Sequence, residues 1–161
     1  MQTANILVIE DNQEDSALLD KLLGNEGYNV YVVDSGEEAV KVLKSKPINV
    51  VLTEMRMPGM NGVDITRLAL GRNKTISVIV MTAYSFVSTA IEAMEVGAYG
   101  YVSKPLNMTE VRIVVKRALE RNVLLSSDER QEQLAEMSVK DGLTGVFNRR
   151  FMTAFIKKKI L

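Results

Sequence analysis

Five short β-prone runs, each separated from the next by a stretch with helical spacing, constrain this chain more than any other feature. They are NILVIE (5–10), NVYVV (29–33), INVVLT (48–53), SVIVM (77–81) and AYGYV (98–102). The middle runs are apolar almost continuously, the pattern of parallel strands covered on both faces. Parallel neighbours need crossovers, and every gap supplies one. EDSALLDKLLGNEG has apolar residues at 17, 18, 19, 22 and 23, with Gly27 as its stop. In SGEEAVKVLKS, Ser35 and Glu38 have capping-box spacing and Pro47 lies beyond the end. VDITRLAL and FVSTAIEAMEVG fill the next two gaps, and Asn107 and Glu110 open a last helix that begins MTEVRIVVKRALERN. The alternation predicts a doubly wound α/β domain over roughly residues 1–122.

Composition narrows the chemistry. A chain of 161 residues has room for one ordinary domain and an appendage, and 47% apolar with 25% charged residues is a globular balance. Twenty basic residues cancel twenty acidic ones, so no overall field draws nucleic acid or an anionic membrane. The absence of cysteine excludes disulfides and thiolate chemistry. The absence of histidine excludes Ser-His-Asp triads, zinc-histidine clusters and a phosphohistidine carrier within these residues. MQTANILVIEDN turns acidic too soon for a signal peptide, and no apolar run approaches the ~20 residues of a membrane span. The expected location is cytoplasmic.

In a doubly wound sheet, ligands bind beyond the carboxyl ends of the strands at the topological switch point. Glu10 and Asp11 follow the first run, Glu54 the third, Thr82 the fourth and Lys104 the fifth. Each has an ordinary explanation alone: acids are common in loops, Thr82 suits a helix cap, and Lys104-Pro105 suits a turn. Together they put three acids, a hydroxyl and an ammonium at one edge. Hard oxygen ligands in that number suit Mg²⁺, while Thr and Lys opposite the metal suit the remaining oxygens of a phosphoryl group.

The stretches ILVIEDN, VVLTEMRMPGMNG, VIVMTAYS and GAYGYVSKPL resemble the receiver domain of bacterial two-component response regulators, over residues 4–122. The resemblance implies a flavodoxin-like (βα)5 sheet of strand order 2-1-3-4-5 with an extended C-terminal helix. It implies an acid pair (Glu10, Asp11), a switch Thr (Thr82), a switch aromatic (Tyr101), an essential Lys (Lys104) and a cis peptide before Pro105. It further implies Mg²⁺ held by Glu10, Asp11, the acceptor at position 54 and the backbone carbonyl of Arg56. The family's acceptor is an aspartate, and this chain has Glu54 instead. One extra methylene carries the carboxylate out by roughly 1.5 Å, into phosphoryl space, with less charge than a phosphorylated side chain. Three readings of Glu54 stand open: a replacement that mimics phosphorylation, a pseudo-receiver, and a glutamate that holds metal without accepting phosphate.

Helix-permissive sequence continues past residue 122, with no Gly or Pro from 110 to 141. Val111, Val114, Val115, Ala118, Val123, Leu125, Leu134 and Met137 form an imperfect stripe, interrupted by SSDERQEQ. The segment 123–140 reads as a solvated helix, a helix broken at Ser126–Glu129, or a dimeric coiled-coil-like stalk. DGLTGVFNRRFM (141–152) resembles the opening of GGDEF domains, which make cyclic di-GMP from GTP. Residues 141–161 hold five basic residues and one acid, with Phe147, Phe151, Phe155 and Ile156 at helical spacing. They read as the first helix of a truncated domain, or as a basic amphipathic helix for a membrane surface. Without the loop that names the GGDEF family, the chain is not expected to be a cyclase itself.

The resulting expectation is a signalling module. A histidine kinase phosphorylates position 54, and two chains dimerise through the face of the fourth helix, fifth strand and fifth helix and through the helical linker. A diguanylate cyclase then responds, with no membrane or nucleic-acid partner. The alternative is a phosphorylation-independent pseudo-receiver acting as a dimerisation scaffold. An enzyme turning over through an aspartyl phosphate lacks a second general acid or base.

Overall fold

A computed structural model describes residues 3–83 and 87–138, with side chains over 3–83 and 88–125. Strand and helix alternate as β1 (Asn5–Ile9), α1 (Gln13–Asn25), β2 (Asn29–Val33), α2 (Gly36–Ser45), β3 (Val50–Glu54), α3 (Gly62–Arg72), β4 (Ser77–Ala83), α4 (Val87–Glu95), β5 (Gly100–Lys104) and α5 (Met108–Ser138). The strands form one parallel sheet in the order β2-β1-β3-β4-β5, the flavodoxin-like arrangement. From β1 the chain goes first to one side and then, through β3, to the other. The carboxyl ends of β1 and β3 therefore flank the switch point.

Helix starts follow local chemistry. Asn12 Oδ1 accepts from Asp15 N at 3.0 Å, Ser35 Oγ from Glu38 N at 3.2 Å and Asn107 Oδ1 from Glu110 N at 3.1 Å. Asn61 and Asp64 close a reciprocal capping box at the head of α3. Gly27, just past α1, takes a φ of +92°, a backbone region that costs glycine nothing.

The strands are buried on both faces, so alternate residues feed two cores. Leu7, Ile9, Val51, Val78 and Val80 pack with Ala39, Leu43, Ile65 and Ala93 from α2, α3 and α4. Ile6, Val8, Val50, Leu52, Ile79, Met81 and Val102 pack with Leu19 and Leu23 of α1 and with Val111, Val115 and Ala118 of α5. Each fully buried Leu, Ile or Val contributes about 1.5–3 kcal/mol.

Several strand ends differ from the sequence reading: β1 stops at Ile9, one residue short of Glu10, and β3 starts at Val50 instead of residue 48. β3 runs through Glu54, β4 continues to Ala83, and β5 occupies Gly100–Lys104 instead of 98–102. The ladder decides this, because Glu54 pairs with Met81, Thr82 with Ser103 and Ala83 with Lys104. Glu54, Thr82 and Lys104 thus belong to strands and do not follow them, and their directions are set by the pleat.

The chain divides into two units, Met1–Val123 and Leu124–Leu161. α5 is helical through Ser126, so the reading of a helix broken there is not met. The GGDEF-like segment 141–161 lies outside the described residues. Among the described residues, no helix is long and apolar enough to cross a membrane.

Candidate functional site

The pleat divides the predicted pocket residues into two groups. Glu54 and Lys104 share the parity of Leu52, Met81 and Val102, the layer packed against α1 and α5. Glu10 continues the parity of Ile6 and Val8 toward the same side. Thr82 and Tyr101 have the parity of Val78 and Val80 on adjacent strands, so they project toward the α2–α4 layer.

The first group meets. Lys104 Nζ donates to Glu10 Oε2 at 2.7 Å and lies 3.2 Å from Asp15 Oδ2. It also forms a close ion pair with Glu54 Oε2. That pair lacks the alignment of a hydrogen bond, which leaves Oε2 buried without an aligned donor. Glu10 is buried, and its second oxygen accepts from Asn12 N at 3.0 Å. Three carboxylates surround one ammonium, an excess of two negative charges when all are ionised. Burial, with the Glu10 carboxylate beside it, pushes Glu54 up from 4.5 to about 7 against the pull of Lys104. Burial opposes the charge of Lys104, but Glu10 and Glu54 outweigh it and hold the ammonium above its ordinary value.

The second group lies on the other parity of the pleat. Thr82 is buried and its hydroxyl donates to the Ala83 carbonyl at 3.3 Å, while Tyr101 is exposed on β5. The cis peptide expected between Lys104 and Pro105 is present. Asp11 stands next to Glu10 just past the end of β1. It is exposed and lines a cleft of about 570 Å³ toward β2, with Glu10, Ser16, Val32, Asp34 and Glu38. Arg56 is exposed on the loop after β3.

Sequence reasoning missed Asp15. A usable signal existed: Asn12 caps α1, which places residue 15 in the first turn, above the end of β1. What no spacing rule supplies is the reach of Lys104 from β5, across β4 and β3, to the end of β1.

The donor set suits a hard divalent cation in chemistry. Glu10, Asp11, Glu54 and a backbone carbonyl are all oxygen ligands, and Glu54 Oε2 is a buried oxygen whose cation is the Lys104 ammonium. The arrangement fits less closely. Among the described residues, no three acids gather in metal-binding geometry, because Lys104 sits between Glu10 and Glu54 and Asp11 turns outward. The ammonium acts as the cation of this pocket.

Comparison with known proteins gives a consistent picture. Residues 6–116 match the response regulator receiver domain. The transcriptional regulatory protein ZraR of Escherichia coli (strain K12) is 36% identical over 115 residues, which cover 71% of this chain and 26% of that protein. The DNA-binding transcriptional regulator NtrC of the same organism is 32% identical over 119 residues, 74% of this chain and 25% of that one. The chain thus spans about a quarter of these relatives' length. A crystal structure of a response regulator receiver domain protein from Clostridium thermocellum aligns with a TM-score of 0.72 at 32% identity, covering 76% of this chain and 98% of that one.

Proposed function

This chain belongs to the response regulator receiver domain family, and on that premise we propose that it is the input module of a phosphorelay whose output is a C-terminal diguanylate cyclase. In this reading residues 1–122 receive the signal, 123–140 transmit it and 141–161 begin the cyclase. A histidine kinase is the phosphoryl donor for an aspartate at position 54, and Glu54 stands in for the phosphorylated state. The observation that carries the reading is the buried contact of Glu54 with Lys104 at the switch point of the sheet. A carboxylate there places negative charge where the ammonium would otherwise meet phosphoryl oxygens.

Mg²⁺ held by Glu10, Asp11, the acid at position 54 and the Arg56 carbonyl would neutralise oxygens during transfer. Activation shifts Thr82 and Tyr101, and with them the face formed by α4, β5 and α5, where two chains pair. The cyclase output rests on DGLTGVFNRR alone. The names of the relatives favour a different output, transcriptional control through DNA, in the protein to which this receiver belongs. Reading the parent gene beyond codon 161 separates the two.

A second reading is a scaffold that never senses phosphate. It is favoured by one observation: three carboxylates already occupy the ammonium. Incubation with acetyl phosphate and Mg²⁺, followed by intact mass, distinguishes the readings. The chain with Glu54 is expected to stay unmodified, whereas Glu54→Asp gains one phosphoryl group and changes its oligomeric state. An Asp variant that remains inert to acetyl phosphate and to beryllofluoride leaves the scaffold as the function.

A further inference from the structure

The edge of the sheet opposite the pocket carries a continuous polar seam. At the start of β2, Asn29 Nδ2 donates to Asn5 Oδ1 at 3.1 Å. Asn5, at the start of β1, donates through its backbone N to Asn49 Oδ1 at 2.8 Å and through Nδ2 to the Pro47 carbonyl at 2.7 Å. Just before β3, the Asn49 carbonyl accepts from Ser77 N at 3.1 Å and from Asn122 Nδ2 at 3.2 Å, which uses both lone pairs. Asn122 Nδ2 also donates to the Thr75 carbonyl, and Asn49 Nδ2 reaches Asn122 Oδ1 at 3.5 Å. Beside it, Arg121 donates to Ser77 Oγ at 3.2 Å and stacks 5.4 Å from the ring centroid of Tyr99. Ser77 Oγ in turn donates to the Ala118 carbonyl at 3.2 Å.

One turn of α5 therefore binds the starts of β3, β4 and β5 by side-chain contacts. The rest of its inward face, Val111, Val115 and Ala118, packs by apolar contact. Apolar packing is non-directional and tolerates small shifts of a helix, whereas hydrogen bonds weaken steeply with distance and angle. Asn122 and Thr75 are each 8% exposed, so the amide and the Thr75 carbonyl it serves have little access to water. Losing that amide takes a donor from the Thr75 and Asn49 carbonyls and leaves the Asn49 carbonyl with Ser77 N alone.

We propose that Asn122, supported by Arg121, anchors α5 to the amino-terminal edge of the sheet and is the fixed point about which α5 responds to events at the carboxyl edge. Motion of α5 is then a pivot about its anchored turn, and sliding along its axis is blocked there. Asn122 is a positioning residue and touches nothing in the Lys104 cluster. The inference concerns the mechanics of the receiver and stands whether position 54 mimics phosphate or serves a scaffold.

The test is amide hydrogen exchange of the full chain with Asn122→Leu, which keeps the branching at Cγ and removes the amide. Exchange over residues 116–123 is expected to rise about tenfold, the equivalent of roughly 1.4 kcal/mol, while β1 and β3 amides keep their rates. A rise of equal size in α5 and the strands, or no rise, overturns the proposal. If Asn122→Leu does not fold, Arg121→Met carries the same comparison, with a smaller selective rise expected. Asn122→Gln, which retains the amide, is expected to restore part of the protection, and Asn122→Asp, which loses the donors, is not.

Discussion

The Lys104 ammonium lies 3.2 Å from the Asp15 carboxylate, joining the end of β5 to the first turn of α1 across the switch point of the sheet. Asp15 is the most exposed of the three acids that hold Lys104, and Glu10 is the most buried. The same cation is thus indispensable to one partner and marginal to another. Asp15→Asn is expected to cost less than about 1 kcal/mol in urea unfolding, as for other partly exposed pairs. Lys104→Met is expected to cost roughly 3–5 kcal/mol, because it leaves the Glu10 carboxylate buried without a counter-ion. Equal losses from the two substitutions would show that Asp15 carries as much of the pocket as Glu10 does.

Glu54 makes stability depend on pH with a defined sign. Its folded pKa, about 7, lies above the ordinary 4.5, so the folded state binds this proton more tightly than the unfolded state. The contribution is complete below about 4.5 and is lost as pH rises through about 7. Lys104 stays charged throughout this window, since its own shift is upward from 10.5. Relative to Glu54→Gln, the protein is expected to lose stability between these pH values, measured by thermal melts at fixed ionic strength. Parallel profiles for the two chains would falsify the assignment of this titration to Glu54.

Gly36 opens α2 directly against Met60. A Cβ added there would stand 2.6 Å from Met60 Cβ and 2.9 Å from its sulfur. Gly36→Ala is expected to destabilise by about 1–3 kcal/mol through overpacking. The contact is with Cβ, so Met60→Gly in the same chain relieves the clash and Met60→Ala does not. Guanidinium unfolding of the parent, Gly36→Ala, each Met60 single variant and the two double variants provides the check, and an additive Met60→Gly pair rules out the contact as the cause.

Leucine burial separates the core from the surface on a single helix–sheet layer. Leu52, in β3, is fully buried in the layer against α1 and α5, while Leu18 on α1 is 50% exposed. Leu52→Ala is expected to cost about 2–5 kcal/mol, and Leu18→Ala to stay within about 0.5 kcal/mol. A large loss from Leu18→Ala in dilute protein would mean that this leucine is covered in solution.

The sequence by itself determined the alternation of strands and helices, the caps at Ser35 and Asn107, and the edge at which Glu10, Glu54 and Lys104 gather. These are local matters, since β-branched apolar runs, capping side chains and glycines act within a few residues of themselves. Tertiary structure alone decided where the strands stop and therefore which way their last side chains point. Strand side chains alternate with a period of two, so a residue inside a strand is committed to one face by the pleat, whereas a residue in the loop beyond it is not. That is why Thr82 and Tyr101 face the α2–α4 layer while Glu54 and Lys104 face α1 and α5. It also decided the outward turn of Asp11, the recruitment of Asp15 and the seam ending at Asn122. Those contacts join residues distant in the chain, such as Asp15 with Lys104 and Asn49 with Asn122. Only the packed sheet brings them within reach.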